Sequence, residues 1–367
     1  MMNKGRKRQR IFLVSNMYPS EKKVRYGIFV KRFEEALVHD FDVKRIVLTK
    51  KGNVVSKILG YTALYLKVLS LFFICKRSDI VYVHFPLYFS FALLPLTWRN
   101  IPVILNFHGS DAVFRTPLKK FFKGFMKPVT KMAVKIVVPS DYYKEKVMDV
   151  FKVDDLEKMY VYPSGGINAK IFYPIEGNTE KTAFGFVSNF IESKGWKIFL
   201  EALSEIMENE ENQNVKGIMV GDGPDRDQII KTIDELRLDV ELIPNVRQEE
   251  LVRIYSRFNA FIFPTYREEE SLGLVGIEAM MCGIPVIASN VGGPLGYVKE
   301  GYNGFLFEKR NVEELVSKVQ RFQRMKSEEV LKMKTNCIET AKRYESSIVN
   351  KDLIGVLKSI HGFEGPS

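Results

Sequence analysis

The chain has 367 residues, of which 46% are hydrophobic and 27% are charged, and its net charge is +11. This is the composition of a soluble globular protein and excludes a low-complexity chain, and the length exceeds what one hydrophobic core usually supports. The three cysteines are odd in number and far apart, which excludes a disulfide framework or a cysteine zinc site and indicates a reducing compartment.

The charge is unevenly spread along the chain. Residues 1–175 carry 31 Lys and Arg against 13 Asp and Glu, whereas residues 176–367 carry 24 against 31. Such an asymmetry indicates that the first half faces an anionic partner. No nucleic-acid-binding motif is present, so we expect an anionic membrane surface rather than nucleic acid. A basic face that serves only solubility is the alternative.

Two N-terminal segments bear on membrane insertion. The basic residues 1–10 precede an apolar run, residues 11–15, that is too short for a secretion signal, and we expect none. Residues 58–75 have about the length of a membrane span, but Lys67 lies at their middle, where a charge is costly in lipid. We therefore predict a buried or interfacial helix of a globular domain there.

Apolar runs rich in β-branched residues alternate with helical patterns in the first half. Helical periodicity covers residues 26–38 and 140–151. This alternation predicts a parallel sheet with helices on both faces. The predicted strands are 11–15, 43–49, 79–85, 102–107 and 135–140.

The same alternation restarts after a segment rich in Gly and Pro, residues 162–174, which we interpret as a linker. A last helical stretch covers roughly residues 311–361. The predicted strands of this half are 183–188, 216–221, 240–244, 260–264 and 285–289. The predicted helices or their approaches are 194–207, 223–237, 248–258 and 271–283.

The sequence thus predicts an α/β protein of two doubly wound, Rossmann-like domains. We place the first domain at residues 1–170 and the second at 171–345, with a C-terminal helix, 346–367, packing back on the first domain. Ligands of such sheets bind beyond the carboxyl ends of the strands, so we expect a site in a cleft between the two domains.

The strongest candidate site follows the predicted strand 260–264. Glu270 and Glu278 flank a helix start at which Gly273 lets backbone approach a ligand. A carboxylate has two acceptor oxygens and suits a vicinal diol such as a ribose. An ordinary helix start with solvated carboxylates is the alternative.

Other candidates also follow strands. Lys194 and Gly195 stand at a predicted helix start, where a lysine opposes the helix dipole unless an anion lies between them; a lysine pointing to solvent is the alternative. Asp225 and Asp227 have the spacing of a metal motif, but we interpret them as first-turn residues of a helix.

Two candidates lie in the first half. His108 follows the predicted strand 102–107, before a Gly-Ser-Asp turn, and is either catalytic or structural. Gly27, at the start of the helix that follows the first strand, is either a phosphate contact or a capping glycine.

In order and spacing, these residues resemble the retaining glycosyltransferases of group 1, or family 4, which have the GT-B fold of two Rossmann-like domains. ESLGLVGIEAMMCGIPVIAS, from Glu270 onward, resembles the family's E-x7-E motif and its continuation. SNVGGPLGYVKEGYNGFLFE resembles the segment that follows. The Lys194-Gly195 pair, VGDGP and HGSD also fit family positions, so the resemblance covers nearly the whole chain.

The resemblance implies roles for the candidates around a nucleotide-sugar donor. Glu270 would hold hydroxyls of the donor sugar, near the backbone N–H groups of Gly273 and Leu274. Lys194 would neutralise the diphosphate, and Glu278 would bind the ribose.

The remaining roles concern the base, the reaction centre and the diphosphate side. The base would lie near Asn245 and Val246, His108 would lie beside the sugar at the reaction centre, and Gly27 would line the diphosphate side of the cleft. The family needs no metal, and it retains the anomeric configuration by attack on the face from which the diphosphate departs, without a covalent nucleophile.

The chain departs from the family pattern at two positions. Asn189 stands where an arginine usually makes a second charged contact to the diphosphate. Without that contact, donor binding would be weaker by about 1.5–3 kcal/mol unless another group substitutes. Gly296 stands where a glutamate is usual, near the sugar.

The predicted function is therefore a retaining hexosyltransferase that uses a nucleotide-sugar donor and a saccharide or lipid-linked acceptor in surface polysaccharide assembly. We expect it in the cytoplasm, peripherally associated with the membrane. A binding or scaffold protein of the same fold that has lost turnover is the alternative. A dinucleotide-dependent dehydrogenase is disfavoured because no GxGxxG follows the first predicted strand.

Overall fold

The computed structural model describes residues 8–21, 23, 26–175, 182–208 and 214–360. Residues 1–7 of the predicted basic N-terminus and 361–367 of the predicted C-terminal helix lie outside these residues. The chain forms two compact units, one of Met1–Gly165 with Val349–Ser367 and the other of Gly166–Ile348.

Six parallel strands form the sheet of the first unit, in the order β2-β1-β3-β4-β5-β6. Its central strands are apolar and buried on both faces, as parallel strands between two helix layers must be. The strands are β1 (Arg10–Tyr18), β2 (Asp42–Thr49), β3 (Ile80–His84), β4 (Val103–Asn106), β5 (Lys135–Val138) and β6 (Met159–Val161).

Helices cover both faces of this sheet. The C-terminal helix contributes Val349, Leu353 and Leu357 to the same core cluster as Ile11 and Leu13 of β1. The helices are α1 (Ile28–Leu37), α2 (Val54–Ile74), α3 (Ser90–Leu93), α4 (Pro117–Lys123), α5 (Met126–Met132), α6 (Asp141–Phe151) and, from the end of the chain, α13 (Ser346–Ser359).

Helix α2 begins earlier than predicted, and most of it is exposed. It begins at Val54 because the side chain of Asn53 accepts from the backbone N–H of Ser56, while Ser56 Oγ accepts from the N–H of Asn53. Of the two predicted settings, buried and interfacial, the buried one is wrong, because only 17% of its most apolar 18-residue window is buried. By length and composition alone α2 could cross a membrane.

The second unit also contains a six-stranded parallel sheet, in the order β12-β11-β10-β7-β8-β9. This is the strand order of dinucleotide-binding Rossmann folds. The strands are β7 (Thr182–Val187), β8 (Val215–Val220), β9 (Val240–Ile243), β10 (Ala260–Phe263), β11 (Val286–Ser289) and β12 (Gly304–Phe307).

The helices of the second unit follow the predicted pattern with shorter bounds. The predicted last helical stretch is three helices, two in this unit and then α13. Those of the second unit are α7 (Trp196–Met207), α8 (Arg226–Glu235), α9 (Gln248–Tyr255), α10 (Leu274–Met281), α11 (Val312–Gln323) and α12 (Ser327–Lys342). The prediction of two doubly wound, Rossmann-like α/β domains is confirmed.

Each sheet has one reversal point, at which the next strand in the chain is added to the opposite side of the first strand. In the first sheet, β1 is followed outward by β2, and β3 then adds to the other side of β1. In the second sheet, β7 to β9 grow one way and β10 then adds to the other side of β7. The loops after the two strands at such a point diverge and leave a crevice, where ligands bind.

The three cysteines, Cys75, Cys282 and Cys337, are free and buried. Burial raises the pKa of the Cys75 and Cys282 thiols to about 12 and raises that of Cys337 as well.

Candidate functional site

A cavity of about 290 Å³ lies at the carboxyl ends of β7 to β10 in the second unit. It brings together seven of the ten predicted site residues. Its lining is formed by Val187, Ser188, Asn189, Lys194, Val220, Asn245, Val246, Leu251, Glu270, Gly273, Leu274 and Val275.

Lys194 and Glu270 form an ion pair in this cavity. Lys194 follows β7 and Glu270 follows β10, so the pair lies at the point where the second sheet reverses direction. The two side chains are only 16% and 13% exposed, which lowers the local dielectric and strengthens their attraction.

The pair explains the position of Lys194. It lies in a 3-10 turn, Glu192–Lys194, before α7 rather than in the first turn of the helix, and Gly195 adopts a left-handed φ of 83° between the turn and the helix. The anion that the sequence requires beside this lysine is the Glu270 carboxylate in this structure.

The start of α10 forms another wall of the cavity. Gly273 has a φ of 78°, and a Cβ at this position would lie 2.6 Å from the ring of Phe263, so no larger residue fits. The Tyr297 hydroxyl donates to the Gly273 carbonyl over 2.9 Å and fixes the turn. The first N–H groups of a helix lack partners within the helix, so this wall suits an anion.

Glu278 is held one turn further along α10. It is 7% exposed, and its carboxylate accepts from Gln248 Nε2 at 3.4 Å and from the Tyr255 hydroxyl at 3.3 Å. Burial and the charge of Glu278 raise the pKa of Tyr255, which therefore stays a neutral donor. The sequence did not reveal Gln248 and Tyr255, whose polar atoms converge only after α9 packs on α10.

Asn189, Asn245 and Val246 line the cavity from the loops after β7 and β9. Both asparagines are exposed and Val246 is half-buried. Asp225, by contrast, is the N-cap residue of α8, and its carboxylate accepts a hydrogen bond from Trp196 Nε1 at 2.9 Å. Among the described residues, no group of three or more His, Cys, Asp and Glu is arranged to hold a metal.

His108 lies in the first unit, beside that unit's own reversal point. It follows β4, and its Nε2 is 2.7 Å from Nδ1 of His84, the last residue of β3. The two rings stack, and Phe29 from α1 packs against His108 with 4.9 Å between ring centroids. His84 was not predicted as a site residue, although β3 neighbours β4 in the sheet.

The Asp111 carboxylate shapes the turn after His108. It accepts from the backbone N–H groups of His108 and Gly109 at 3.1 and 3.2 Å. Gly27 caps α1 with a φ of 73°, and a Cβ there would lie 2.7 Å from the backbone of Met17 and Tyr18. Close backbone packing therefore requires glycine at position 27, and its contact to a phosphate stays a prediction.

His108 should stay uncharged throughout the range in which the protein is assayed. Burial lowers the pKa of His108 to about 3. Burial also lowers the pKa of His84, and electrostatic repulsion from the neighbouring His108 lowers it further. Ring-nitrogen chemical shifts should therefore show a neutral His108 from about pH 5 to 9, with the His108→Gln variant assigning the signal. Protonation with a midpoint above about pH 5 would contradict this.

The sign of the pH effect on stability follows from these shifts. Because the folded pKa of His108 lies below the unfolded value of about 6.5, its contribution is complete above pH 6.5 and falls as the pH drops toward 3. Asp111 acts oppositely: burial raises its pKa to about 7, so lowering the pH relieves the cost of its buried charge.

Two family models match the chain in succession. The model described as "Glycosyl transferases group 1" matches residues 169–344, and the model described as "Glycosyltransferase Family 4" matches residues 19–165. The chain belongs to the group 1 glycosyltransferases with the GT-B fold. The matched ranges include the cavity residues of the second unit and both Gly27 and His108 of the first.

Individual relatives agree with the membership in group 1. An uncharacterized glycosyltransferase of Methanocaldococcus jannaschii is 32% identical over 60% of this chain and 58% of its own. A D-inositol 3-phosphate glycosyltransferase of Mycobacterium sp. (strain KMS) is 27% identical over 50% of this chain and 43% of its own. The chain thus spans about half the length of these curated relatives.

A solved structure shares the fold over almost the whole chain. HepE of Anabaena, in complex with UDP, has a TM-score of 0.71 and 17% identity, covering 96% of this chain and 100% of its own. At this identity the likeness shows the GT-B fold of this group 1 glycosyltransferase and not its substrates.

Proposed function

We propose that the protein transfers a hexose, with retention of configuration, from a nucleotide-sugar donor to a saccharide or lipid-linked acceptor. The observation that carries this proposal is the buried Lys194–Glu270 pair, which lies in the cavity beside the start of α10. One end of the pair suits a phosphate and the other suits sugar hydroxyls, so a single ligand with both groups would engage both.

The chemistry requires fixed positive groups where the leaving diphosphate gains charge. Lys194 and the first N–H groups of α10 supply them from rigid elements that already line the cavity. Departure and attack on the same face of the sugar need no covalent nucleophile, and in this proposal Glu270 positions the sugar. A neutral His108 would act as a hydrogen-bonding group and not as a general acid.

The nucleoside end of the donor is assigned to α10 and the loop after β9. Glu278 would exchange its hydrogen bonds with Gln248 and Tyr255 for the two ribose hydroxyls, and the base would lie at Asn245 and Val246. The UDP complex of HepE supports uridine nucleotides as the first donors to test.

Glu278→Gln should weaken donor binding more than turnover. A charged acceptor of two ribose hydroxyls contributes about 1.5–3 kcal/mol, so Kd should rise about 10- to 100-fold while kcat changes little. His108→Ala should instead lower kcat and leave donor Kd nearly unchanged. Equal losses of donor affinity in the two variants, measured by titration calorimetry, would show that the two roles are misassigned.

A thermal-shift screen against nucleotide sugars tests the donor assignment. Binding to the native state raises the melting temperature, by an amount that depends on concentration relative to Kd. The proposal expects one nucleotide sugar to stabilise the protein and NAD(H) not to do so. Stabilisation by NAD(H) alone would favour the dehydrogenase alternative.

Transfer itself requires a second assay, because a protein that only binds donors would pass the first. Exposed Asn189, where the family usually has arginine, favours this impaired-protein alternative. Radiolabelled donors incubated with the protein and a membrane extract should yield labelled product. Donor binding without label transfer for every common donor would leave the binding or scaffold function.

The proposed setting is surface polysaccharide assembly at the cytoplasmic face of a membrane. The first half of the chain, with its excess of Lys and Arg, would hold the acceptor and contact anionic lipid. The donor is a co-substrate in this proposal, and no metal is needed.

A further inference from the structure

Helix α2 exposes large apolar side chains along most of its length. Val55, Ile58, Leu59, Leu66 and Phe73 are each 60% to 83% exposed. The opposite stripe, with Leu64, Val68 and Leu71, is buried in the core of the first unit. A helix on the surface of a soluble domain ordinarily places polar residues on its outer face, so this outer face requires a separate explanation.

The exposed residues form one continuous side of the helix. Leu59, Leu66 and Phe73 follow one another at intervals of seven residues, about two helical turns, so they lie on the same side of the helix. The helix contains no Asp or Glu, and its only charged residues are Lys57 and Lys67. The side is therefore about 30 Å long and carries positive charge only, by the rise of an α-helix.

Aromatic contacts extend this side across neighbouring helices. The ring centroids of Tyr65 and Phe91 are 5.6 Å apart. Phe125 links Phe91 to Phe121 of α4, with centroid distances of 6.5 Å to Phe91 and 5.2 Å to Phe121. Phe91 and Phe121 are exposed.

Trp98 adds a further exposed ring near the end of α2. It is 80% exposed, and the next residue, Arg99, donates to the Phe72 carbonyl of α2 and lies over the Phe72 ring. We name this surface the α2–α4 face and define it by Leu59, Leu66, Phe73, Phe91, Trp98 and Phe121.

Positive charge dominates the segments that form the α2–α4 face. Residues 43–140 contain 16 Lys and Arg and only two acidic residues, Asp79 and Asp111, both of which are buried. Exposed lysines, including Lys120 and Lys123 of α4, lie in the same segments as the aromatic residues, and the exposed carboxylate of Asp149 on α6 lies near Lys123. Two copies of this face would repel each other, and a bilayer of anionic lipid matches both its apolar and its cationic parts.

We propose that the α2–α4 face docks the protein on an anionic bilayer, with α2 lying along the interface. The inference rests on the membrane association proposed above and names the surface responsible. The apolar side chains enter the boundary of the acyl chains, while the lysines contact lipid headgroups. The burial of Leu64, Val68 and Leu71 in the core keeps α2 parallel to the surface instead of spanning the bilayer.

Vesicle sedimentation of the full chain tests the docking surface. The protein should pellet with phosphatidylcholine vesicles that contain about one third phosphatidylglycerol, less with pure phosphatidylcholine, and less at high salt. The triple variant Leu59→Ser, Leu66→Ser, Phe73→Ser should lose at least about tenfold in partitioning, because three exposed apolar side chains no longer enter the lipid.

A matched triple variant controls for lost apolar surface elsewhere. Leu156→Ser, Ile230→Ser and Leu331→Ser remove three exposed apolar side chains that lie outside the face, and this protein should bind vesicles as the wild type does. Equal losses in both triple variants would overturn the proposal. Melting temperatures should confirm that both variants remain folded.

Three other outcomes would also overturn the proposal. Failure of the wild type to bind anionic vesicles while a nucleotide sugar still raises its melting temperature would reject the docking and leave the proposed transfer intact. A dimer that sedimentation equilibrium detects and the first triple variant dissociates, without vesicle binding, would assign the face to a second copy. Resistance to alkaline carbonate extraction would show that α2 spans the bilayer.

Discussion

Replacing Lys194 with methionine should lower kcat for sugar transfer by about 100- to 1,000-fold, the loss seen when one preorganised group that stabilises transition-state charge is removed. Methionine keeps most of the length of the lysine side chain and removes its ammonium group, and with it both the charge and the hydrogen-bond donors. The change also leaves the Glu270 carboxylate, which is 13% exposed, without its ion-pair partner beside the proposed position of the leaving diphosphate. Electrostatic repulsion should therefore weaken donor binding as well.

Steady-state kinetics with the donor identified by the thermal-shift screen would measure this effect. Lys231→Met is a matched control, because Lys231 lies in the same unit on α8 and pairs only at the exposed surface with Glu235. Its kcat should equal that of the wild type. Unchanged turnover in Lys194→Met would remove the central element of the proposed mechanism.

Gly195→Ala should cause a large loss of stability in the second unit. An alanine there must keep a φ near 83°, and its Cβ would lie 2.0 Å from the Pro264 carbonyl oxygen. Backbone strain and overpacking each cost about 1–3 kcal/mol. The second unit contains 183 residues, so its melting transition should fall by about 10 °C.

Gly296→Ala gives the comparison for this substitution. Gly296 belongs to the same unit, has no left-handed φ and has no heavy atom within 4 Å of a built Cβ. Its replacement should change stability by less than about 0.5 kcal/mol. Calorimetric scans that gave the two variants the same melting temperature would contradict the close packing of Gly195 on the loop after β10.

The central strands and the edge strands β2 and β9 could be predicted from the sequence, and the edge strands β6 and β12 could not. β6 and β12 both lie at the edges of their sheets, and both are absent from the predicted strands. β6 has only three residues, all half-buried, and β12 has only four, so neither gives the longer apolar run by which a strand is identified in a sequence. β1 is also longer than predicted, because it continues through the polar residues Ser15 and Asn16.

The candidate residues could be identified from the sequence, but their partners could not. Lys194 and Glu270 are 76 residues apart, and nothing in their spacing shows that they form an ion pair. The pairing depends on which strands are neighbours at the reversal point, a property of the sheet order. The contact between His84 and His108 likewise depends on the sheet order, because His84 ends β3 and His108 follows the neighbouring strand β4.

The sequence could not decide between a buried and an interfacial α2, for a different reason. Its composition does not distinguish a helix covered by protein from one covered by another apolar phase, because both require the same residues. The decisive observation was the single buried stripe of Leu64, Val68 and Leu71, which only the packed structure reveals.

The three buried thiols have a practical consequence for studying this chain in solution. Thiolate is the form that reacts with maleimides, and thiols with such raised pKa values ionise too rarely at neutral pH to compete with an exposed cysteine. A fluorophore attached through Glu249→Cys, at the exposed start of α9 and close in sequence to Val246, would therefore label one position without removing any native cysteine. Occupancy of the proposed nucleotide site could then be followed optically, in real time, during a single turnover.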